Sequence, residues 1–200
     1  MARAIVIVDV QNDFCDDYAN PIPGHGLPVA GGGAVALRLG TWLPDVADRY
    51  AIVVTTQDWH DDPGAHFAPS PLTPNYIDTW PVHCAAGTEG AELHPSIANA
   101  LRAHAPLAIR KGQRAAAYSG FEGVTTDDRD LHRALCDADI DAIDVVGIAT
   151  DHCVHATAAD ALRLGYRVRV LVDLCAGVAP DTTADRLADL ARRGAEITWS

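Results

Sequence analysis

IDVVGIATDHCVHATAADALRLG, Ile143–Gly165, runs from a β-branched apolar strand (Ile143–Ile148) through a tight turn into a helix (Thr150–Gly165). Thr150 is the expected N-cap, and Gly165 the expected C-cap. A strand that feeds directly into a helix is half of a βαβ unit, so the neighbouring segments decide whether the unit repeats. It does. Upstream, Ala4–Val10 (AIVIVDV) and Ala51–Thr56 (AIVVTT) are continuous apolar runs of the kind buried on both faces. Pro106–Arg110 and Arg167–Leu174 give two more strands, and Glu196–Trp199 a sixth. Helical patterns lie between them at Gly33–Tyr50, Ser96–His104, Thr126–Ala138 (capped by Thr126) and Asp181–Arg193. The expected fold is α/β: a doubly wound, mostly parallel sheet of six strands with helices on both faces, in a single domain over residues 1–200.

Such sheets bind ligands beyond the carboxyl ends of their strands. Asp9 ends the first strand, Asp58 and His60 follow the second, Lys111 the third and Cys153 the fourth. Four segments distant in sequence thus deliver reactive groups to one edge. With Thr150 as cap, Cys153 sits in the first helical turn, where unpaired N–H groups and the helix dipole favour a thiolate and can hold an oxyanion. A Cys is otherwise a small buried hydrophobe, and Cys136 and Cys175 are read that way. Asp9, partly buried, becomes a general base if its pKa rises. Lys111 alone would be a solvated charge; beside Asp9 and Cys153 it pairs with both.

The long segment Gln57–Pro95 is rich in Pro, Gly, His and Asp; loops of that length in compact domains are usually functional or disordered, and its aromatic-flanked histidines favour the first. Its TQDWHDDPGAHF holds Asp58, His60 and His66, and TWPVHC adds His83. One carboxylate and three imidazoles suit a divalent transition metal (Zn, Fe or Mn) better than Ca or Mg. Phe14, Trp59, Trp80 and Tyr118 lie near these segments, and flat apolar walls suit a planar ring. Trp59 alone is not decided between wall and core. His25, His94, His104 and His132 have no such company.

Lys and Arg number 15 against 27 Asp and Glu, a formal charge of −12, which disfavours nucleic acid and anionic lipid as partners. Five scattered cysteines and an apolar N-terminal run of only Ile5–Val8 suggest neither a disulfide framework nor a secretory leader. The expected location is the cytoplasm, with thiols reduced.

Taken in order, VDVQNDF, QDWH with a later HF, WPVHC, KG, YSGF and GIATDHCV resemble the nicotinamidases of the isochorismatase-like cysteine hydrolases. VLVDLCAG continues the match almost to the C-terminus. The resemblance implies hydrolysis of nicotinamide, and of pyrazinamide, to the acid and ammonia, feeding NAD salvage. It implies Cys153 as nucleophile, Asp9 as proton carrier and Lys111 as the charge that holds them. The N–H groups of Ala149 and Cys153 would form an oxyanion hole, with a cis peptide near Ala149. Phe14, Trp80 and Tyr118 would wall the ring, and a metal at Asp58, His60, His66 and His83 would bind its nitrogen. Family members are often dimers or larger, so a homo-oligomer is among the implied states. Two stretches are longer than the pattern: Asp16–Pro28, read as an inserted surface loop, and SPLTPNYID before Trp80. Both are placed beside the pocket.

Other readings stay open at this point. A metal-free relative acting on isochorismate, carbamoyl or ureido substrates should lack the ligand set. A maleamate-type amidase would use the same machinery and needs a substrate panel to separate. A non-catalytic domain stabilised by a structural metal would unfold, rather than fall silent, when the metal is removed.

Overall fold

The computed structural model describes residues 2–69 and 72–200. Six parallel strands form one sheet in the order β3-β2-β1-β4-β5-β6. They are β1 Ala2–Val8, β2 Ile52–Asp58, β3 Leu107–Lys111, β4 Ile140–Ile148, β5 Arg167–Ala176 and β6 Glu196–Thr198. The helices are α1 Gly32–Val46, α2 Pro95–Ala100, α3 Leu131–Asp137, α4 His155–Arg163 and α5 Pro180–Arg192. None is long and apolar enough to cross a membrane.

Strand alternation sorts the apolar side chains into two cores. Ile5, Ile7, Val53, Val146 and Leu171 face α1 and α2, while Ala4, Val6, Val54, Val145 and Val170 face α3, α4 and α5. Both sides of β1 and β4 are therefore dry, which is why the runs Ala4–Val8 and Ala142–Ile148 are uncharged but for one residue. The interruption that does occur, Asp144, is fully buried on the α1 face. Its carboxylate accepts from Tyr50 Oη at 2.9 Å, from Arg169 Nε at 2.8 Å and from Arg3 Nη1. A paired charge is thus tolerated inside the sheet.

The sheet changes direction between β1 and β4, since connections before that point run one way and those after it the other. This is the crevice where ligands of doubly wound sheets bind. Gly147 brings the two strand ends close there: at φ +117° any Cβ would lie 2.1 Å from Val8 O.

Two expected helix starts are different in the structure. Thr126 caps nothing, because residues 125–129 close on themselves through Thr125 N→Arg129 O (3.0 Å), and α3 starts at Leu131 with Asp130 accepting from Arg133 N at 2.7 Å. Thr150 is not a side-chain cap either; Thr150–Val154 form a π-turn that precedes α4. The cap at Gly165 stands, with φ +92°.

Candidate active site and metal centre

The residues expected at the strand ends converge. Asp9, just past β1, is fully buried; Thr56 Oγ1 donates to its Oδ1 at 2.5 Å. Lys111, the last residue of β3, is also fully buried, so it is not a solvated charge. Its ammonium reaches Asp9 Oδ2 at 2.8 Å, Cys153 Sγ at 3.6 Å, Ala117 O at 3.3 Å and the Asp58 carboxylate. Burial alone would lower the Lys111 pKa, but Asp58 and Asp9 outweigh it and hold the group charged. Burial raises Asp9, partly offset by Lys111. Asp58 stays well below the usual carboxylate range despite burial, because Lys111 and His60 favour its charge.

Cys153 lies in the π-turn, 7% exposed. Burial pushes its thiol well above the ordinary range, against the pull of Lys111 and with the push of Asp9 and Asp58. A thiolate favoured by the helix end alone was the sequence expectation. The structure instead gives a resting thiol beside a carboxylate whose own pKa has risen, with a cation between them.

Asp151, two residues before Cys153, holds the turn from outside. It accepts from Val178 N (2.9 Å), Ala179 N (3.2 Å) and Thr182 Oγ1 (2.5 Å), tying the nucleophile turn to the start of α5. The Ile148–Ala149 peptide is cis, as expected near Ala149.

Beside this trio, His60, His66 and His83 bring ring nitrogens within 4.8 Å of one another. Asp58 Oδ2 faces His60 Nε2 at 3.7 Å and His83 Nε2 at 3.9 Å. His60 Nδ1 meets Gly112 O at 2.6 Å and His83 Nδ1 meets Pro81 O at 2.8 Å, which fixes both rings with Nε2 inward. His60 Nε2 and His66 Nδ1 are buried with no hydrogen-bond partner, a cost that a metal ion would remove. Burial lowers His66 to about 4 and His83 to about 3, so both are neutral imidazoles at pH 7, the form that ligates. The donor set therefore fits a divalent transition metal. Gly112 has φ +74°, and a Cβ there would sit 2.6 Å from the His60 ring.

A pH dependence follows from these rings. In the unfolded chain the imidazoles titrate at the ordinary 6.5, whereas the folded values are about 4 and about 3. The unfolded state binds more protons in that window, so stability of the metal-free protein falls as pH drops below 6.5 and levels off once it is below the folded values. Thermal melts of chelator-treated protein across that range, with and without His83→Asn, check this; the substitution should flatten the slope.

The pocket between trio and histidines is small, with a cavity volume of about 40 Å³. Phe14, Trp80, Tyr118 and Ala149 all line it. Trp80 Nε1 donates to Tyr118 Oη at 3.1 Å, locking two walls together. Leu27, Val29, His152 and Val178 also line it and were not foreseen. Leu27 and Val29 get there because the Asp16–Pro28 loop folds back: Leu27 N donates to Asp13 O at 2.9 Å, and Gly26 N to Val82 O at 2.8 Å. The loop does border the pocket. Of the second long stretch, Ser70 and Pro71 lie outside the described residues, and Tyr76 meets Trp80 edge-on at 6.1 Å. His152, within the π-turn, meets Trp80 edge-on at 5.3 Å. Trp59 turns away from the pocket and packs against the α1-side core. Of the two cysteines read as buried, Cys175 is half-buried, whereas Cys136 is exposed beside His132 and Tyr166.

Residues 3–200 match the family model described as the isochorismatase domain. The chain is 47% identical over 199 residues to the nicotinamidase/pyrazinamidase of Mycobacterium tuberculosis, with 99% of each chain covered. It is 35% identical to the nicotinamidase of Escherichia coli, over 98% of this chain and 93% of the relative. Among solved structures it is similar to the pyrazinamidase of Pyrococcus horikoshii in complex with zinc, at 30% identity and a TM-score of 0.79, covering 100% of both. The chain therefore belongs to the isochorismatase family.

Proposed function

We propose that this chain is a nicotinamidase that hydrolyses the carboxamide of nicotinamide, and of pyrazinamide, through a thioester on Cys153. The observation that carries the reading is Lys111, a buried ammonium in contact with Asp9, Cys153 and the Asp58 that faces His60 and His83. Ligand atoms of Cys153 and Asp58 lie within 4.8 Å of each other, which supports a nucleophile beside a site able to grip a ring nitrogen. Relatives with nicotinamidase and pyrazinamidase names support the substrate.

Asp9 accepts the Cys153 thiol proton as the sulfur attacks the amide carbon, and Lys111 stabilises the thiolate that forms. N–H groups of Ala149 and Cys153 receive the developing oxyanion. Asp9 then returns its proton to the departing ammonia, leaving the acyl group on sulfur. Water, deprotonated by Asp9, attacks the thioester and releases the acid and the free thiol. Asp58, His60, His66 and His83 would hold a divalent metal, with zinc, iron and manganese all compatible with the donors. When bound, the metal supplies an electrophilic point that orients a pyridine or pyrazine nitrogen. Phe14, Trp80 and Tyr118 hold the ring flat and keep bulk water out.

Ammonia release from nicotinamide, pyrazinamide and maleamate tests the reading. The two ring amides should be turned over and maleamate, which has no ring nitrogen, much more slowly. Preference for maleamate would assign the chain to a different amide. Chelation of the metal should silence release while far-UV circular dichroism stays that of the folded protein, and zinc should restore it. Unfolding on chelation would indicate a structural metal instead.

A further inference from the structure

Trp59 stands between two proposed metal ligands in the sequence, Asp58 and His60, yet faces away from them. Strand alternation explains this: Asp58 points to the catalytic side and Trp59 to the α1 side. Arg110 has the same relation to Lys111. The strands pair in register Gln57↔Arg110 and Asp58↔Lys111, so Trp59 lies diagonal to Arg110 on the reverse face. The Arg110 guanidinium stacks over the Trp59 ring with Cζ 3.6 Å from its centroid, a close cation–π contact.

We propose that the Trp59–Arg110 pair is a positioning latch that fixes the Asp58 and His60 ligands against Lys111 from the far side of the sheet. The inference rests on the metal-assisted reading above. The latch closes at the point where both chains leave the sheet. Main-chain contacts there are Trp59 N→Lys111 O at 2.9 Å, the His60 ring on Gly112 O at 2.6 Å, and Asp61 N and Asp62 N on Gln113 O at 2.9 Å. The Asp58–Lys111 contact lies on the front of that junction and the stacked pair on its back. Without the latch, side chains would tie the ends of β2 and β3 on one face only, and the backbone bonds alone would set their spacing on the other. Asp58 and His60 would then spread relative to His66 and His83, which come from other segments. Neither Trp59 nor Arg110 lines the pocket, so both are positioning residues and not catalytic ones.

The test uses four variants: Arg110→Met, which keeps the stem and loses the cation; Arg110→Lys, which keeps a cation; Trp59→Leu; and Trp59→Phe, which keeps a ring. Zinc affinity is measured by competition with a chromophoric chelator, alongside kcat and KM for nicotinamide and the melting temperature of the metal-free protein. Arg110→Met and Trp59→Leu should bind zinc about tenfold more weakly, the size of a lost outer-shell support, with kcat reduced and KM nearly unchanged. Arg110→Lys and Trp59→Phe should stay within about threefold of the parent. The half-buried Arg110 pair decides the matter alone if Trp59→Leu fails to fold. Zinc affinity unchanged in Arg110→Met, or lost equally in Arg110→Lys, would overturn the latch. The zinc readout needs no substrate, so it separates this failure from a wrong amide assignment.

Discussion

Replacing Cys153 by Ala is expected to lower nicotinamide hydrolysis by at least about 10⁴-fold, the scale on which nucleophile removal acts in covalent hydrolases. The two carboxylates beside the sulfur, Asp9 and Asp58, are already engaged by Lys111 and are poor substitutes for it. The substitution removes only one small buried atom, so the fold should lose about 1 kcal/mol. The expected signature is therefore a protein with nearly parental melting temperature and zinc affinity, and no turnover. A slow residual rate with the same pH profile as the parent would mean that water attacks directly and that Cys153 is not the nucleophile.

Lys111→Met should be costly in both stability and rate. Met fills a similar volume but leaves Asp9 and Asp58 as neighbouring buried carboxylates without a counter-charge. Breaking a buried pair by removing one partner costs about 3–5 kcal/mol, which in a domain of this size lowers the melting temperature by roughly 6–20 °C. The rate should fall by about 10³-fold or more, since the cation no longer stabilises the thiolate. Adding Asp9→Asn removes one of the two stranded charges. The double variant Asp9→Asn/Lys111→Met should recover several degrees while remaining inactive. Recovery shows that the loss came from unpaired charge; no recovery would place it in packing. Melts of the single and double variants under metal-free conditions make the comparison clean.

Much of this arrangement was legible in the sequence because strand ends and motif residues coincide. Asp9, Lys111 and Cys153 each lie at the carboxyl end of an apolar run, and parallel topology sends those ends to one edge. What was not legible depended on tertiary context. Thr126 and Asp130 are both competent caps, and only the 125–129 turn selects the second. The π-turn at Thr150–Val154 has no composition signal, yet it places His152 in the pocket wall. Leu27 and Val29 reach the pocket through a fold-back of a loop whose sequence looks like surface. Trp59 was undecidable for a similar reason. Its neighbour in space is Arg110, about fifty residues away, and the register that joins them is not written locally. Lys111 illustrates the reverse case: taken alone it would be a solvated charge, but its pairing with Asp9 and Cys153 was legible from the shared sheet edge, and Asp58 is the partner added by the structure.

The most direct measurement is acid-quenched mass spectrometry of the metal-loaded protein during turnover of nicotinamide. The predicted result is a transient nicotinoyl adduct on the Ala134–Arg163 tryptic peptide. That peptide carries both Cys136 and Cys153, so fragmentation must assign the adduct, and it should fall on Cys153. The adduct should vanish in Cys153→Ala and disappear from the parent once substrate is exhausted. Turnover with no adduct at any quench time, or an adduct confined to the exposed Cys136, would contradict the thioester route.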